Sequence, residues 1–477
     1  MTTPLLGPAS GSTTQHGAPS GPPHPGGPRV LAHGRDSGLP DVDALAAEAL
    51  AAYAGSDACC PGAFPELPRA EASLVGFGLD LVDAPGDAVG TVTGSGSESA
   101  LMAVQVARRA RPDVRRPSIV LPDTAHPAFL AAADLLGVRA VVVPTDAARR
   151  AQVGPTAHAM DEDTVLAVVS APTAAHGVVD PVAWIGTAAA AKGVPLHVDA
   201  GEDGWLLAFG ERLGRIVPPW TFAVAGVTSI SMELHAHAHA PRGAALLLHR
   251  DASGGQLGAT CATGAADLAG RPLVSPTIGL SRPGAPIAAA ARVVSDIGHD
   301  GYLHLAAQTF GAVEALVAGV RAVPALSLAC EPDASLVLLR ADGDADVFTV
   351  AAELRSRGWY AECQPSWGDL PALLRLGVGA GTRAHVEELL DALRESAAAA
   401  EATGPARLPG RVTDHLLRLS PEHLTGEDVR TLLETLGIDP LSDTVPLLDA
   451  LVDAAPTRLR PAIVGRLADL RSAPTRG

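Results

Sequence analysis

Short apolar runs alternate with helical runs between about Ala88 and His249, and this alternation limits the fold more than any other feature. Runs such as SIVLP, TVLAVVS and LHVDA are typical of strands that are buried on both faces. The segments between them have the length and spacing of helices. The alternation predicts crossover connections and a mainly parallel sheet, with ligands held at the carboxyl ends of its strands.

Composition divides the rest of the chain. Residues 1–40 contain 8 Gly and 8 Pro, and such a segment buries too little apolar surface to offset its ordering entropy, so we expect it to be disordered. The other predicted units are an N-terminal helical dimer segment at 41–87, a large domain at 88–289, a smaller α/β domain at 290–400, a linker at 401–410 and a helical appendage at 411–477.

The charge balance restricts the partners. The chain of 477 residues has 52 acidic and 35 basic side chains, a net charge of −17, which argues against nonspecific binding to nucleic acid or anionic membranes. The five cysteines have no regular spacing, and we see neither a secretory signal nor an uninterrupted membrane-length apolar run. These features predict a cytoplasmic location. Lys192 is the chain's one lysine, so any chemistry that needs a lysine amine depends on it.

Three segments at predicted strand ends could carry chemistry. In the turn TGSGSES, the residues Ser95, Gly96 and Ser97 open a helix, where backbone N–H groups suit a phosphate; a tight strand-to-helix turn explains them equally well. Asp199 could hold a pyridine nitrogen protonated, or serve as a helix cap or in a buried salt bridge. His126 could stack on a ring, or lie in a cap region.

The motifs in their order resemble the fold-type I pyridoxal-phosphate enzymes, specifically the group II decarboxylases and their sphingosine-1-phosphate lyase-like branch. The resemblance runs from about Ser56 to Leu393. The segments that carry it, each with the family's form, are SDACCPGAFP (SNPLHPDVFP), TGSGSES (TSGGTES), SAPTAAHGVVDPV (SAPNFPHGxIDPI), PLHVDAGEDGW (PLHVDAxxGGF), SISMELHAHAHAPRG (SISxDxHKYGYAPKG), SPTIGLSRPG (SPTxxGSRxG) and the GW of SRGWY.

The resemblance implies an aspartate-aminotransferase-like PLP-transferase fold: α/β, with a mainly parallel large-domain sheet, a smaller C-terminal α/β domain and, here, an extra helical tail. It implies pyridoxal 5′-phosphate as cofactor and an obligate dimer with both chains at each site. The implied roles are phosphate binding by Ser95, Gly96 and Ser97, ring stacking by His126, pairing with the ring nitrogen by Asp199, a place beside the cofactor for His235, and a dimer-interface loop at Ser281 and Arg282.

The chain departs from the family where the family does its chemistry. Ala236 stands at the position of the Schiff-base lysine, and Lys192 is predicted in a turn at the opposite end of the HVDA strand, away from the site. The motif's two tyrosines become His237 and His239. Further departures are Asp57, Cys60, Ala238, Asp203-Gly204 and Leu280. We therefore expect folding and assembly to be retained and the family chemistry to be relaxed.

The run His235-Ala236-His237-Ala238-His239 allows two interpretations. In a regular strand the three imidazoles would share one face and could chelate a metal or move protons. In a loop, two of them would merely fill the volume of the family's tyrosines. We predict no metal site.

Three hypotheses follow. The first is a catalytically impaired or non-catalytic subunit, a pseudoenzyme that forms a homodimer or pairs with a lysine-bearing paralogue. The second is a lyase or decarboxylase acting on a small amine with noncovalently held cofactor, with His235 or His237 as the proton carrier. The third is an engineered substitution at Ala236, which the many neighbouring changes argue against.

Overall fold

The computed structural model describes residues 29–32, 36–258, 260–261, 274–279, 281–439 and 445–472. Most of the segment expected to be disordered, and Leu280, lie outside the described residues.

The first half of the chain alternates between strands and helices as its pattern predicts. The strands are β1 (Arg29–Val30), β2 (Val89–Thr93), β3 (Ser118–Pro122), β4 (Arg139–Val143), β5 (Thr164–Ser170), β6 (Leu196–Asp199), β7 (Val227–Glu233) and β8 (Ala245–His249). The helices are α1 (Pro40–Ala52), α2 (Glu66–Leu81), α3 (Gly96–Ala110), α4 (Ala128–Leu135), α5 (Val153–Ala159), α6 (Val182–Lys192), α7 (Gly204–Arg212) and α8 (Ala252–Gly258).

Seven of these strands form the central sheet, in the order β2-β8-β7-β6-β5-β3-β4. The pairs from β7 through β6, β5 and β3 to β4 are parallel, whereas β8 runs antiparallel to both of its neighbours. Every residue of β5 is buried, as expected for a strand covered by helices on both faces. The mainly parallel sheet is thus confirmed, and the carboxyl ends of β5, β6 and β7 meet at one edge.

The second half builds a smaller domain and a helical unit. Its strands are β9 (Thr260–Cys261), β10 (Val274–Ser275), β11 (Leu326–Leu328), β12 (Leu336–Ala341), β13 (Trp359–Tyr360), β14 (Glu362–Gln364) and β15 (Leu373–Gly377). Its α-helices are α9 (Gly284–Val320), α10 (Val347–Ser356), α11 (Val386–Thr403), α12 (Gly410–Arg418), α13 (Gly426–Leu436), α14 (Val445–Ala454) and α15 (Arg460–Ser472), with a 3₁₀ helix at Ala380–His385. The small-domain sheet is antiparallel, ordered β11-β12-β15-β14.

The long helix α9 links the two domains, so the predicted boundary at 289/290 falls inside a continuous element. It bends at Gly298, whose φ of 60° and ψ of −179° leave the helical region. The helix α9 is long and apolar enough to cross a membrane by length and composition alone. Buried core helices of globular proteins meet the same two criteria, and half of the most apolar 18-residue window of α9 is buried in this structure. Its last turns pack into the small-domain core through Leu316 and Val320.

The helices α12 to α15 form the predicted appendage. They share an apolar core that includes Leu416, Leu433, Leu451 and Ile463. Arg460 joins this unit to the small domain, because its guanidinium donates to Ser366 Oγ at 3.0 Å.

Candidate functional site

A cavity of about 150 Å³ opens at the carboxyl ends of β5, β6 and β7, in front of the N-terminus of α3. Its walls come from both domains. The lining residues are Gly96, Ser97, Ala100, His126, Phe129, Pro172, Thr173, Ala174, Asp199, Gly201, Glu202, Asp203, Glu233, Leu336 and Arg375. The fold therefore brings four of the predicted site residues together: Gly96, Ser97, His126 and Asp199.

Asp199 lies where β6 ends. Its Oδ1 accepts hydrogen bonds from the Gly201 N–H and the Ser231 hydroxyl, both at 3.3 Å. Burial raises the pKa of the Asp199 carboxyl, and the nearby His126 opposes that rise. A carboxylate so placed is suited to face a cationic ring nitrogen, since such a partner would relieve the cost of its burial.

Three backbone N–H groups of the Gly/Ser turn before α3 already have side-chain acceptors. Ser95 is the N-cap and accepts from the Glu98 N–H at 3.2 Å, as a serine cap does. The Gly94 N–H donates to Glu98 Oε2 at 2.6 Å, and the Gly96 N–H donates to Glu233 Oε1 at 2.7 Å. Carboxylates therefore already lie at the end of the helix where an anion is favoured.

His235 joins two carboxylates that line the cavity. Its Nδ1 lies 3.1 Å from Glu233 Oε2, and its Nε2 lies 3.4 Å from Glu202 Oε1. Burial disfavours the imidazolium, but hydrogen bonds with Glu202 and Glu233 outweigh burial, so the pKa of His235 is raised. His235 is thus placed beside the cavity, between two carboxylates that favour its charged form.

His237 points elsewhere. It is buried, its Nε2 lies 2.8 Å from Asp203 Oδ1, and it is not among the described residues that line the cavity. The same carboxylate oxygen accepts from Ser335 Oγ at 2.6 Å, so His237 and Asp203 connect the large domain to the start of β12. The His235–His239 run follows β7 as a loop, not as a strand, and His239 has a φ of 54°.

No amine lies at the position of the family's lysine. Ala236 is completely buried, and the loop around it is closed by a hydrogen bond from Ala240 N–H to Leu234 O at 3.0 Å. Lys192 ends α6 at the amino end of β6, where its Nζ donates to Met160 O at 2.7 Å. That amine and the cavity therefore lie at opposite ends of β6.

The predicted dimer loop is held within its own chain by a cluster that we call the Arg282 clamp: Asp57, Glu71, Ser281 and Arg282. The Arg282 guanidinium donates to both oxygens of Glu71, at 2.7 and 3.0 Å, and to Val92 O at 2.7 Å. Asp57 accepts from the Arg282 N–H and the Ser281 hydroxyl, both at 2.9 Å. These hydrogen bonds lower the pKa of Asp57.

The sequence did not single out Glu202, Glu233 or Arg375 as residues of the cavity, whereas Asp203 was among the departures from the family motifs. Arg375 adds a cation from the small domain and donates to Ala174 O at 3.0 Å. Glu233 could have been found, because it takes the place of the aspartate in the motif SISxDxHKYGYAPKG. Arg375 had no comparable signal.

Within the described residues no group of three or more His, Cys, Asp or Glu side chains is arranged to hold a metal ion.

Comparison with known proteins defines the class. Residues 80–203 match the family model for aminotransferase class-V. The sphingosine-1-phosphate lyase of Arabidopsis thaliana is 32% identical over 62% of this chain and 55% of its own length, and that of Mus musculus is 31% identical over 68% and 57%. The chain thus spans little more than half the length of these relatives.

Solved structures agree. The sphingosine-1-phosphate lyase of Burkholderia pseudomallei superposes with a TM-score of 0.73 and 29% identity, covering 79% of this chain and 87% of the other. The glutamate decarboxylase of Lactobacillus brevis, at 18% identity, shares the fold with a TM-score of 0.69. The fold is therefore that of the PLP transferases. Within it, the chain belongs to the fold-type I, group II decarboxylase-like family, for which these relatives indicate pyridoxal phosphate as the cofactor.

The cavity fits one end of that cofactor better than the other. At the ring end, Asp199 and His126 face a space with the small neighbours Ala100 and Gly201. At the phosphate end, the Gly96 N–H already donates its hydrogen bond to Glu233 Oε1. Two negative charges about 4 Å apart repel by about 4 kcal/mol near a protein surface, whereas a helix N-terminus stabilises an anion by about 1 kcal/mol. In this arrangement the phosphate does not fit.

Proposed function

We propose that this chain is a catalytically impaired or non-catalytic subunit of the pyridoxal-phosphate lyase and decarboxylase family. The observation that carries the proposal is Ala236, a buried methyl group where the family motif has its lysine. Lys192 offers no substitute, because its amine is bound to Met160 O at the other end of β6.

Losing the lysine removes two functions at once. The family lysine anchors the cofactor covalently and moves protons at the reacting carbon, and a positioned acid–base group contributes about 10²–10⁴-fold in rate. His235 is nearby, yet the negative charges of Glu202 and Glu233 favour its charged form. Two carboxylates that favour the protonated form of the imidazole oppose the use of His235 as a base.

We further propose that the chain works in a dimer, with a second copy or with a lysine-bearing paralogue, in the cytoplasm. The Arg282 clamp supports this role, because it orders the loop that family members use at their dimer interface. The Arg282 side chain is paired with Glu71 of its own chain. Arg282 therefore contributes to assembly by fixing the backbone of the loop. Co-purification from the native host, followed by mass spectrometry of the crosslinked dimer, distinguishes the two pairings.

The test is to compare the natural chain with Ala236→Lys and with a lysine-bearing relative. Each is incubated with pyridoxal phosphate, reduced with borohydride and mapped by peptide mass spectrometry, and each is assayed with small amines and amino acids. We expect no adduct in the peptide containing residue 236 of the natural chain and turnover at least about 10²-fold below that of the relative. Turnover within about tenfold of the relative would refute the proposal.

The second candidate is lysine-free catalysis with His235 as the proton carrier. The observation in its favour is the contact of His235 with Glu233, a lining residue of the cavity. If this candidate is correct, the natural chain shows amine-dependent turnover that His235→Asn abolishes and His237→Asn leaves in place, because His237 is bound to Asp203 instead.

A further inference from the structure

Glu233 is positioned as an anion would be at the N-terminus of a helix. Its Oε1 lies 2.7 Å from the N–H of Gly96, the first residue of α3. The contact is close: a Cβ atom on Gly96 would come within 2.6 Å of the same oxygen. The glycine therefore gives the carboxylate direct access to the backbone, as it would give a phosphate oxygen access.

The length of the side chain matters here. The motif SISxDxHKYGYAPKG has aspartate where this chain has Glu233, and the extra methylene extends the carboxylate from the end of β7 toward α3. The two elements are far apart in sequence, since Gly96 and Glu233 are separated by 137 positions. The contact is thus a tertiary feature of this chain and not a local consequence of the turn.

The surroundings hold Glu233 in place. His235 contacts its other oxygen at 3.1 Å and is itself held by Glu202. On the far side of the turn, Glu98 occupies the Gly94 N–H at 2.6 Å. A phosphate would thus have to displace one carboxylate in the presence of a second.

We propose that Glu233 is a built-in substitute for the cofactor's phosphate, so that the cavity takes the unphosphorylated form of a pyridine-type ligand in preference to its phosphate ester. Asp199 pairs with the ring nitrogen and His126 flanks the ring, while Glu233 closes the other end. The inference rests on the proposed function, because a chain without the family lysine has no amine with which the aldehyde of the phosphorylated cofactor must be aligned.

Two non-aldehyde probes test this without side reactions at Lys192: pyridoxine and pyridoxine 5′-phosphate, which differ only in the phosphate. Binding of each to the full chain is measured by calorimetry at constant pH and ionic strength. We expect the natural chain to bind pyridoxine at least as tightly as the phosphate ester. Glu233→Asp shortens the side chain, and Glu233→Gln keeps its reach but removes its charge.

Both variants are expected to strengthen binding of the phosphate ester by about tenfold or more, and to change pyridoxine binding by less than about threefold. Glu98→Gln is the matched control, since it removes the same charge from the same turn but lies outside the cavity lining, and we expect it to have the smaller effect. A natural chain that prefers the ester tenfold, an unchanged preference in both variants, or no binding of either probe to any of the proteins overturns the inference. None of these outcomes depends on turnover, which tests the proposed function separately.

Discussion

The Arg282 clamp and the loop between β7 and β8, residues 234–244, are both family motifs, yet they have diverged in opposite ways. In the clamp, Asp57 replaces the motif's asparagine and still holds the loop through the Arg282 N–H and the Ser281 hydroxyl. In the β7–β8 loop, the lysine has become Ala236 and the tyrosines His237 and His239. The clamp has thus kept contacts that stabilise the fold, whereas the β7–β8 loop has lost the residues to which the family motif assigns the chemistry.

Physical costs explain why the two regions diverge differently. Removing one partner of a buried ion pair leaves the other charge uncompensated, which costs several kcal/mol. Replacing a buried lysine by alanine has no such cost to folding, because burial disfavours the ammonium in the first place. A chain that does not need to catalyse the family reaction can therefore lose the lysine without losing stability, but it must keep the clamp in order to stay folded.

The largest effect is predicted at the clamp. Arg282→Ala leaves the largely buried Glu71 carboxylate without its cation, and we expect a loss of about 3–5 kcal/mol in the free energy of unfolding. Chemical denaturation at pH 7 measures it. Replacing Glu71 and Arg282 together by methionine should recover only part of the loss, because Thr91 and the Val92 backbone then lose their hydrogen-bond partners. If Arg282→Ala cost less than about 1 kcal/mol, the clamp would not be what preserves this region.

A buried histidine outside both regions gives the next largest effect. Neither ring nitrogen of His176 has a hydrogen-bond partner among the described residues. Burial, with the charges of Arg149 and Arg375, lowers the pKa of His176 to about 4. Between pH 6.5 and 4 the unfolded chain binds a proton there that the folded chain does not, so stability falls as the pH falls through this range.

His176→Leu removes that proton linkage. We expect the variant to be more stable than the natural chain, with a further advantage of up to about 3 kcal/mol accumulating between pH 7 and pH 4. Unfolding free energies at several pH values measure this difference. His158→Leu, at an exposed position on α5, is the matched control and should leave the pH dependence unchanged. Parallel curves for the natural chain and His176→Leu would contradict the lowered pKa.

New contacts of the β7–β8 loop are predicted to contribute less than the clamp. Asp203→Ala removes the acceptor of Ser335 and the partner of buried His237, and we expect a loss of about 1–3 kcal/mol. Hydrogen exchange should show the loss as faster opening at the start of β12. Glu202→Ala, at a half-buried position, should cost less than about 1 kcal/mol. Equal losses for Asp203→Ala and Glu202→Ala would mean that the contacts of Asp203 with Ser335 and His237 add no stability of their own.

The sequence predicts the parts of this molecule that depend on local pattern. The alternation of strands and helices, the start of α3 at the Gly/Ser turn and the position of Asp199 at the end of β6 all follow from neighbouring residues. The partners of Glu233 and Arg282 do not, because they lie 137 and 211 positions away. For the same reason, His235 and His237 look equivalent in the sequence, although one lies beside the cavity and the other is bound to Asp203.

The smallest predicted effect bears most directly on the Gly/Ser turn. Ser95 caps α3, and Thr425 caps α13 through Asp428 N–H at 3.1 Å. Truncating an N-cap of this kind costs about 1 kcal/mol. We expect Thr425→Ala to lose that amount and Ser95→Ala to lose less, because Glu98 and Glu233 already satisfy neighbouring amides of the Ser95 turn and keep negative charge at its helix end.

Each variant is measured by chemical denaturation, with Thr425→Ala followed by a probe in the helical unit. Adding Glu233→Ala to Ser95→Ala should make the loss of the cap cost more than it does in the natural chain, because the turn then loses two of its three side-chain acceptors. Additive losses would mean that the Ser95 hydroxyl and the Glu233 carboxylate act independently, and that Glu233 does not compensate for the lost cap. A cost that rises in the double variant would place the Glu233 carboxylate among the groups that stabilise this turn.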